Sequence, residues 1–231
     1  MIKNILWDVD GTLLNFKDSE KHALSSCLMG AGIRPTDEMI AKYSEINKSF
    51  WEKLERGELT RDQVLVQRFE VFFDLIGKKV NIPKFEKAYQ EALANVFFYY
   101  DNSLMLCQKF KEEGFRQYVV TNGVASTQNK KLRDSKFFYI MDDVFISDEI
   151  GHPKPNHQFF KTVFDSIPNF SKEETIIIGD SLTSDIRGGN NAGIQCCWYN
   201  PRGEKPDLNV RIDYEIKHLW ELQKILNNNT K

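Results

Sequence analysis

Ile5-Leu6-Trp7-Asp8-Val9-Asp10-Gly11-Thr12 is an apolar run that stops at two acids, a glycine and a threonine. A short run that is apolar throughout, rather than at alternate positions, fits a strand whose two faces are both covered by helices. Four more stretches read the same way. Tyr118-Val119-Val120 leads into Thr121-Asn122-Gly123, and Val144-Phe145-Ile146 into Ser147-Asp148-Glu149. Thr175-Ile176-Ile177-Ile178 leads into Gly179-Asp180-Ser181, and Gln195-Cys196-Cys197-Trp198 is a late strand. Helical patterns lie between them over 104–113, 127–135, 156–167 and 184–192. Gly114 and Gly193 stand where a left-handed residue closes a helix. The alternation predicts an α/β fold with a parallel sheet of right-handed βαβ units.

One interval breaks the rhythm. Asp10 and Thr121 are 111 positions apart, whereas a βαβ unit needs only ~30 residues. The surplus of about 80 residues reads as helical, with spaced apolar positions over 19–30, 36–57, 60–76 and 82–99 and with Thr36, Thr60 and Pro83 as helix starts. The expected organisation is therefore an α/β core over 1–14 and 101–231 with a helical insertion over 15–100. The Asn-rich tail from Asn227 to Lys231 is expected to fray.

Composition removes several function classes. With 31 Lys and Arg against 33 Asp and Glu, the net charge of -2 supplies no basic surface of the kind that holds nucleic acid. No stretch approaches the ~20 apolar residues of a membrane span, and Asp8 and Asp10 interrupt the region where a signal peptide would be apolar. Four cysteines without a C-x-x-C pair are expected to stay reduced, which points to a cytoplasmic protein.

In an open α/β sheet, ligands bind beyond the carboxyl ends of the strands. Asp8, Asp10, Thr121, Asn122, Asp180 and Asp185 all fall at such ends. Carboxylates gathered without compensation repel and raise one another's pKa values; a divalent cation removes the conflict, and hard oxygen ligands suit Mg²⁺. The plainer reading of any one of these is an ordinary Asp-Gly turn. Asp8 is a candidate nucleophile, because a carboxylate can form an acyl phosphate, and Asp10 a candidate general acid and base. Lys154, between Pro153 and Pro155, offers a fixed positive charge, although most single lysines are solvated surface. The Thr121 hydroxyl and the Asn122–Gly123 backbone suit phosphate oxygens; a helix N-cap is the competing use of the same residues.

Together, Asp8-x-Asp10-Gly-Thr, Thr121-Asn-Gly, Lys154-Pro and Gly179-Asp180-x-x-x-x-Asp185 resemble, in order, the four core motifs of the haloacid dehalogenase superfamily. The resemblance spans nearly the whole chain. It implies a Rossmann-like core, Mg²⁺ and an aspartyl-phosphate intermediate. It makes Asp8 nucleophile and metal ligand, and Asp10 the acid/base that also meets the metal through its carbonyl. Thr121 and Lys154 would hold the phosphoryl group, Asp180 would ligate the metal, and Asp185 would stand close behind it. The insertion matches the family's small helical cap, which closes over the site. Members that attack carbon lack the second aspartate of the first motif, so Asp10 favours phosphoryl chemistry.

Asn47-Lys48-Ser49-Phe50-Trp51, Gly57-Glu58-Leu59-Thr60 and Arg68-Phe69-Glu70 resemble the cap of the bacterial noncanonical pyrimidine 5′-nucleotidases, as does the segment 185–194. The resemblance implies a small-molecule phosphomonoester substrate, a pyrimidine nucleoside monophosphate, with Trp51 or Phe50 stacking on the base and Asn47 and Arg68 hydrogen-bonding to it. The alternative is that Phe50, Trp51 and Phe69 are packing residues and Arg68 a structural ion-pair former. A sugar-phosphate phosphatase or phosphomutase would share every core motif. A receiver-like phosphoacceptor module would share the acids, Thr and Lys, but has no inserted cap. The sequence has neither a P-loop nor a dinucleotide-binding glycine pattern, and positions 12 and 19 lack the acids of an EF-hand.

Overall fold

The computed structural model describes residues 1–228. Six strands form one parallel sheet: β1 (Asn4–Trp7), β2 (Arg116–Thr121), β3 (Asp143–Ile146), β4 (Thr175–Gly179), β5 (Gln195–Tyr199) and β6 (Tyr214–Ile216), in the order β3-β2-β1-β4-β5-β6. β1 and β4 are buried at every residue, as sheet strands covered on both faces must be. Trp7 pairs with Val119 on one side and Ile178 on the other, so β1 is central. The chain builds β2 and β3 on one side of β1, then returns to place β4 on the other. That reversal between β1 and β4 is the topological switch point at which α/β sheets open a crevice.

By contacts the chain divides into two compact units, one of Met1–Asn15 with Tyr99 onward, the other Phe16–Phe98. The second consists of α1 (Phe16–Gly30), α2 (Asp37–Glu55), α3 (Arg61–Leu75) and α4 (Ile82–Ala94). Thr36 and Thr60 cap α2 and α3 through their hydroxyls, and Asn81 caps α4 ahead of Pro83. The unit has its own core, in which Tyr43, Phe69, Phe72, Phe85 and Tyr89 meet edge to face and stacked. Truncating a ring such as the fully buried Phe69 to Ala would cost about 3–5 kcal/mol.

The helix expected over 82–99 stops at Ala94. Beyond it, Tyr99 forms an antiparallel bridge with Leu14 and Tyr100 N–H donates to Leu13 O. The two chain segments that flank the helical unit are thus hydrogen-bonded to each other, and the apolar residues there serve that pairing rather than a further helical turn.

In the α/β unit the remaining helices are α5 (Ser103–Glu112), α6 (Ala125–Asp134), the single turn α7 (Ser147–Ile150), α8 (His157–Ser166), α9 (Arg187–Ala192) and α10 (Leu222–Asn228). The helix expected over 184–192 is instead a π-helical turn, Leu182–Ile186, followed by α9. β6 lacks a sequence signal, because its three residues include an exposed glutamate; pairing of Tyr214–Ile216 with Cys197–Tyr199 makes it a strand. Of the expected frayed tail, Asn227 and Asn228 belong to α10, and Asn229–Lys231 lie outside the described residues. All four cysteines are free thiols. Among the described residues no helix is long and apolar enough to cross a membrane.

Candidate active site

The switch point puts Asp8, the first residue past β1, beside Asp180, the first past β4. Asp8 N–H still donates to Ile178 O at 2.9 Å, so the nucleophile candidate is held by the sheet ladder itself. Asp180 is fixed through its carbonyl, which accepts Trp198 Nε1–H at 2.9 Å. Asp185 enters from the π-helical turn. There the N–H groups of Asp185 and Ile186 both reach Ser181 O at 3.1 Å, and the Asp185 carboxylate accepts Ser181 N–H at 3.2 Å. Two glycines make room for these acids. A Cβ at Gly179 would stand 2.2 Å from the Asp185 carboxyl, and one at Gly11, whose φ is +108°, 2.4 Å from the Asp180 carboxyl.

Lys154 joins the acids. Its buried Nζ donates to Asp8 Oδ1 at 2.8 Å, Asp185 Oδ1 at 2.7 Å and Val120 O at 2.6 Å, using all three protons of the ammonium. Its backbone is held by Asn122, whose amide accepts Lys154 N–H at 2.8 Å and donates to Lys154 O at 2.9 Å. The Asn122 side chain thereby helps to place Lys154. Thr121 is buried and its hydroxyl accepts Gly123 N–H at 3.3 Å.

Oxygens of Asp8, Asp180 and Asp185 lie within 4.8 Å of one another. Against the single ammonium of Lys154 they leave an excess of two negative charges, the charge a divalent cation carries. Burial raises the Asp8 carboxyl from its ordinary 3.8 to about 7; Lys154 opposes this, while Asp185 and Asp10 add to it. Asp180 keeps solvent access, yet is raised as well, by desolvation and by Asp8 and Asp185. Lys154 is raised too, which for a lysine favours the charged form: burial lowers it, but Asp185 and Asp8 together hold it above the usual lysine range. The two partners differ because Lys154 faces only opposite charges, whereas Asp8 also faces its own kind. Asp8 Oδ2 is buried and has no hydrogen-bond partner. An orphaned anionic oxygen among three carboxylates is a donor set that fits Mg²⁺.

Asp10 stands apart from this group. Its Oδ1 accepts Lys131 Nζ at 2.8 Å and its Oδ2 accepts the Gln128 amide, both from α6. Neither residue was legible as functional, since Lys130-Lys131 reads as a solvated helix face; the one usable signal is the three-residue spacing of Gln128 and Lys131, which puts them on one side of a helix.

The candidates in the helical unit have a different setting. Asn47 and Arg68 are buried and joined, Arg68 Nη1 donating to Asn47 Oδ1 at 2.7 Å and Asn47 Nδ2 to Glu20 Oε1 at 2.8 Å. The Ser44 hydroxyl also donates to Glu20. Arg68 lies over the Phe69 and Tyr89 rings, 4.9 and 5.3 Å from their centroids. Glu20, which carried no sequence signal, is the hub of this cluster, and burial raises its carboxyl. Trp51 is half-buried against Phe50, Leu54 and Val64. Arg68 thus meets an amide rather than a carboxylate, and its Nε and Nη2 are buried without a hydrogen-bond partner.

Comparison with known proteins bears on the same residues. The family model of haloacid dehalogenase-like hydrolases matches residues 5–199. The chain is 40% identical to the HAD-hydrolase YfnB of Bacillus subtilis strain 168 over 97% of its length and 95% of that protein's. It is 32% identical to the pyrimidine 5′-nucleotidase PynA of Streptococcus pneumoniae, covering 98% and 96%, and 26% identical to the pyrimidine 5′-nucleotidase YjjG of Escherichia coli, covering 96% of each. The crystal structure of Bacillus subtilis YfnB bound to magnesium superposes with a TM-score of 0.91 at 38% identity, over 98% of this chain and 99% of that one. The chain belongs to the haloacid dehalogenase-like hydrolases, as an enzyme of the phosphatase kind.

Proposed function

We propose that the protein is a Mg²⁺-dependent 5′-nucleotidase that hydrolyses pyrimidine nucleoside monophosphates through a phosphoryl group carried on Asp8. The observation that carries the reaction is the Asp8 carboxylate, ordered by Lys154 through one oxygen and left without a partner at the other. The similarity to PynA and YjjG supports the choice of substrate.

Asp8, Asp180 and, behind them, Asp185 would hold the metal, with the Asp10 carbonyl. When bound, Mg²⁺ supplies positive charge that lets an anionic carboxylate approach an anionic phosphate. Asp8 attacks phosphorus; the bond to the 5′ oxygen breaks and Asp10 gives that oxygen a proton. Lys154, whose three protons go to Asp8, Asp185 and Val120, steadies Asp8 and acts on the phosphoryl oxygens through its charge, while the Thr121 hydroxyl and the backbone N–H groups that follow it would donate to them. A water molecule, losing its proton to Asp10, then attacks phosphorus, the Asp8–phosphorus bond breaks, and inorganic phosphate leaves. The helical unit is assigned the selection of the substrate. The four free thiols support a reducing, cytoplasmic setting.

The test is phosphate release from a panel of nucleoside monophosphates and sugar phosphates, with Mg²⁺ and with EDTA, using Asp8→Asn as control. Mg²⁺-dependent release from pyrimidine monophosphates, abolished in the variant, is expected. Broad release would discard the nucleotide preference; substantial turnover by Asp8→Asn would discard the nucleophile.

A further inference from the structure

Both oxygens of the Asp10 carboxylate are held by α6, and that mechanism gives the holders no role. Lys131 is fully buried and Gln128 nearly so, while Asp10 is only half-buried. An ammonium without solvent is costly unless paired, and Lys131 meets Asp10 Oδ1 at 2.8 Å. Gln128 gives its Nε2 to Asp10 Oδ2 and leaves its own Oε1 buried and without a partner. The placement of the amide therefore follows Asp10, because a side chain settling its own needs would not strand its acceptor. Gly123 is the third part. A Cβ there would lie 2.1 Å from Gln128 Nε2 and 2.6 Å from its Cγ, so the glycine after Thr121-Asn122 clears the path by which Gln128 reaches Asp10.

We propose that Lys131 and Gln128 are positioning residues for Asp10, fixing its carboxylate in the one orientation that meets the leaving oxygen of the substrate. The inference rests on the acid/base role given to Asp10 above. Each Asp10 oxygen accepts one bond from this clamp and keeps a second lone pair for the proton it moves. Asp10 is thereby held as a unit apart from the Asp8, Asp180 and Asp185 oxygens that gather within 4.8 Å. Without the clamp, a proton would be delivered from a carboxylate free to rotate, and the step that suffers is the one in which the alcohol oxygen departs.

That step can be isolated. The readout is kcat/KM, which extends only through phosphoryl transfer to Asp8. It is measured for the monophosphate turned over fastest and for its analogue with sulfur in place of the bridging oxygen. A thiolate leaves without a proton; an alkoxide does not. General acid catalysis contributes about 10²–10⁴-fold, so Asp10→Asn should lose on the order of 100-fold or more on the oxygen ester and far less on the sulfur one. Lys131→Met and Gln128→Ala should show the same split at smaller size, about 10-fold or more on the oxygen ester, and Lys131→Arg should narrow it.

The sulfur substrate serves as the internal measure of folding, and the neutral Gln128→Ala carries the test where Lys131→Met fails to fold. Equal losses on both substrates in the clamp variants, or no loss on either, would overturn the proposal while a split in Asp10→Asn leaves the acid role intact. Equal losses in Asp10→Asn would overturn the acid role and the clamp with it.

Discussion

Asp8→Asn is expected to make the metal-free protein more stable while ending its turnover. The substitution keeps the shape of a buried side chain and removes the charge that burial opposes. In the folded protein the Asp8 carboxyl lies at about 7 against an ordinary 3.8. At about 1.4 kcal/mol per pH unit, that displacement amounts to about 4 kcal/mol. The attraction of Lys154 is already inside this figure, since it lowers the Asp8 value and loses to desolvation. Because the folded value is raised, the folded state binds the proton more tightly than the unfolded one. The associated stability is fully present below pH 3.8 and is lost as pH rises through about 7. A carboxamide loses nothing over that range. The gap between variant and wild type should therefore be under about 2 kcal/mol at pH 5 and level off near 4 kcal/mol above pH 8. For a chain of this size that is about 8–16 °C in Tm at high pH. The assay is thermal unfolding by circular dichroism in EDTA from pH 4.5 to 8.5, then again with Mg²⁺. The cation competes with the proton, so it should raise the wild-type Tm more at pH 8.5 than at pH 5 and do much less for the variant. Melting curves of the two proteins that move in parallel across pH, or a variant less stable at pH 8.5, would refute the electrostatic account of the site.

Lys154→Met should destabilise the α/β unit by about 3–5 kcal/mol, because it strands two buried carboxylates and the Val120 carbonyl; urea unfolding measures it, and a loss under about 1 kcal/mol contradicts the reading. Its kcat/KM should fall by about 100-fold or more. Gly179→Ala puts a Cβ 2.2 Å from the Asp185 carboxyl, so a stability loss of about 1–3 kcal/mol with weakened Mg²⁺ binding is expected by calorimetry; ordinary Mg²⁺ affinity would show that Asp185 plays no part in holding the cation. Arg68→Ala strands Asn47 Oδ1 and removes the charge over Phe69 and Tyr89. Faster amide exchange in α2 and α3 is the expected outcome, and unchanged exchange would mean that the buried cluster does not support the helical unit.

The core of the site was legible because a parallel sheet converts strand ends into neighbours. Asp8 and Lys154 are 146 positions apart in sequence, yet each follows a strand of the same sheet closely enough that the topology brings them to 2.8 Å. Short apolar runs ending in acids are visible without any knowledge of packing. What stayed hidden depends on which side of a helix faces inward. Lys131 sits beside Lys130 and looks equally solvated, but one is buried on Asp10 while the other pairs with the exposed Asp134. Glu20 lies in a polar run, Asp18-Ser19-Glu20-Lys21-His22, that gives no hint of burial. The apolar residues after Ala94 carried the helical pattern too far, because apolarity alone does not tell a helix from a bridge such as Tyr99 with Leu14.

The unequal treatment of the two oxygens of Asp8 links these observations to reactivity. A carboxylate that accepts a full set of hydrogen bonds is stable and a poor nucleophile; one with none is costly and becomes protonated. Here Lys154 satisfies Oδ1 and leaves Oδ2 buried without a donor, and the carboxyl sits at about 7, where ionisation near neutral pH is balanced rather than assured. Burial keeps it there, with repulsion from Asp185 and Asp10 adding to the effect, so a bound divalent cation would fix the ionised state and leave an incoming phosphate an oxygen that holds few other contacts. The acids that make the site unfavourable when empty of cation are the same ones that would bind it. Asp10, by contrast, has both oxygens held from α6. Under the proposed mechanism, one aspartate is kept short of partners for attack, and the other, two residues along the chain, is supplied with them so that it would stay in place while it moves a proton.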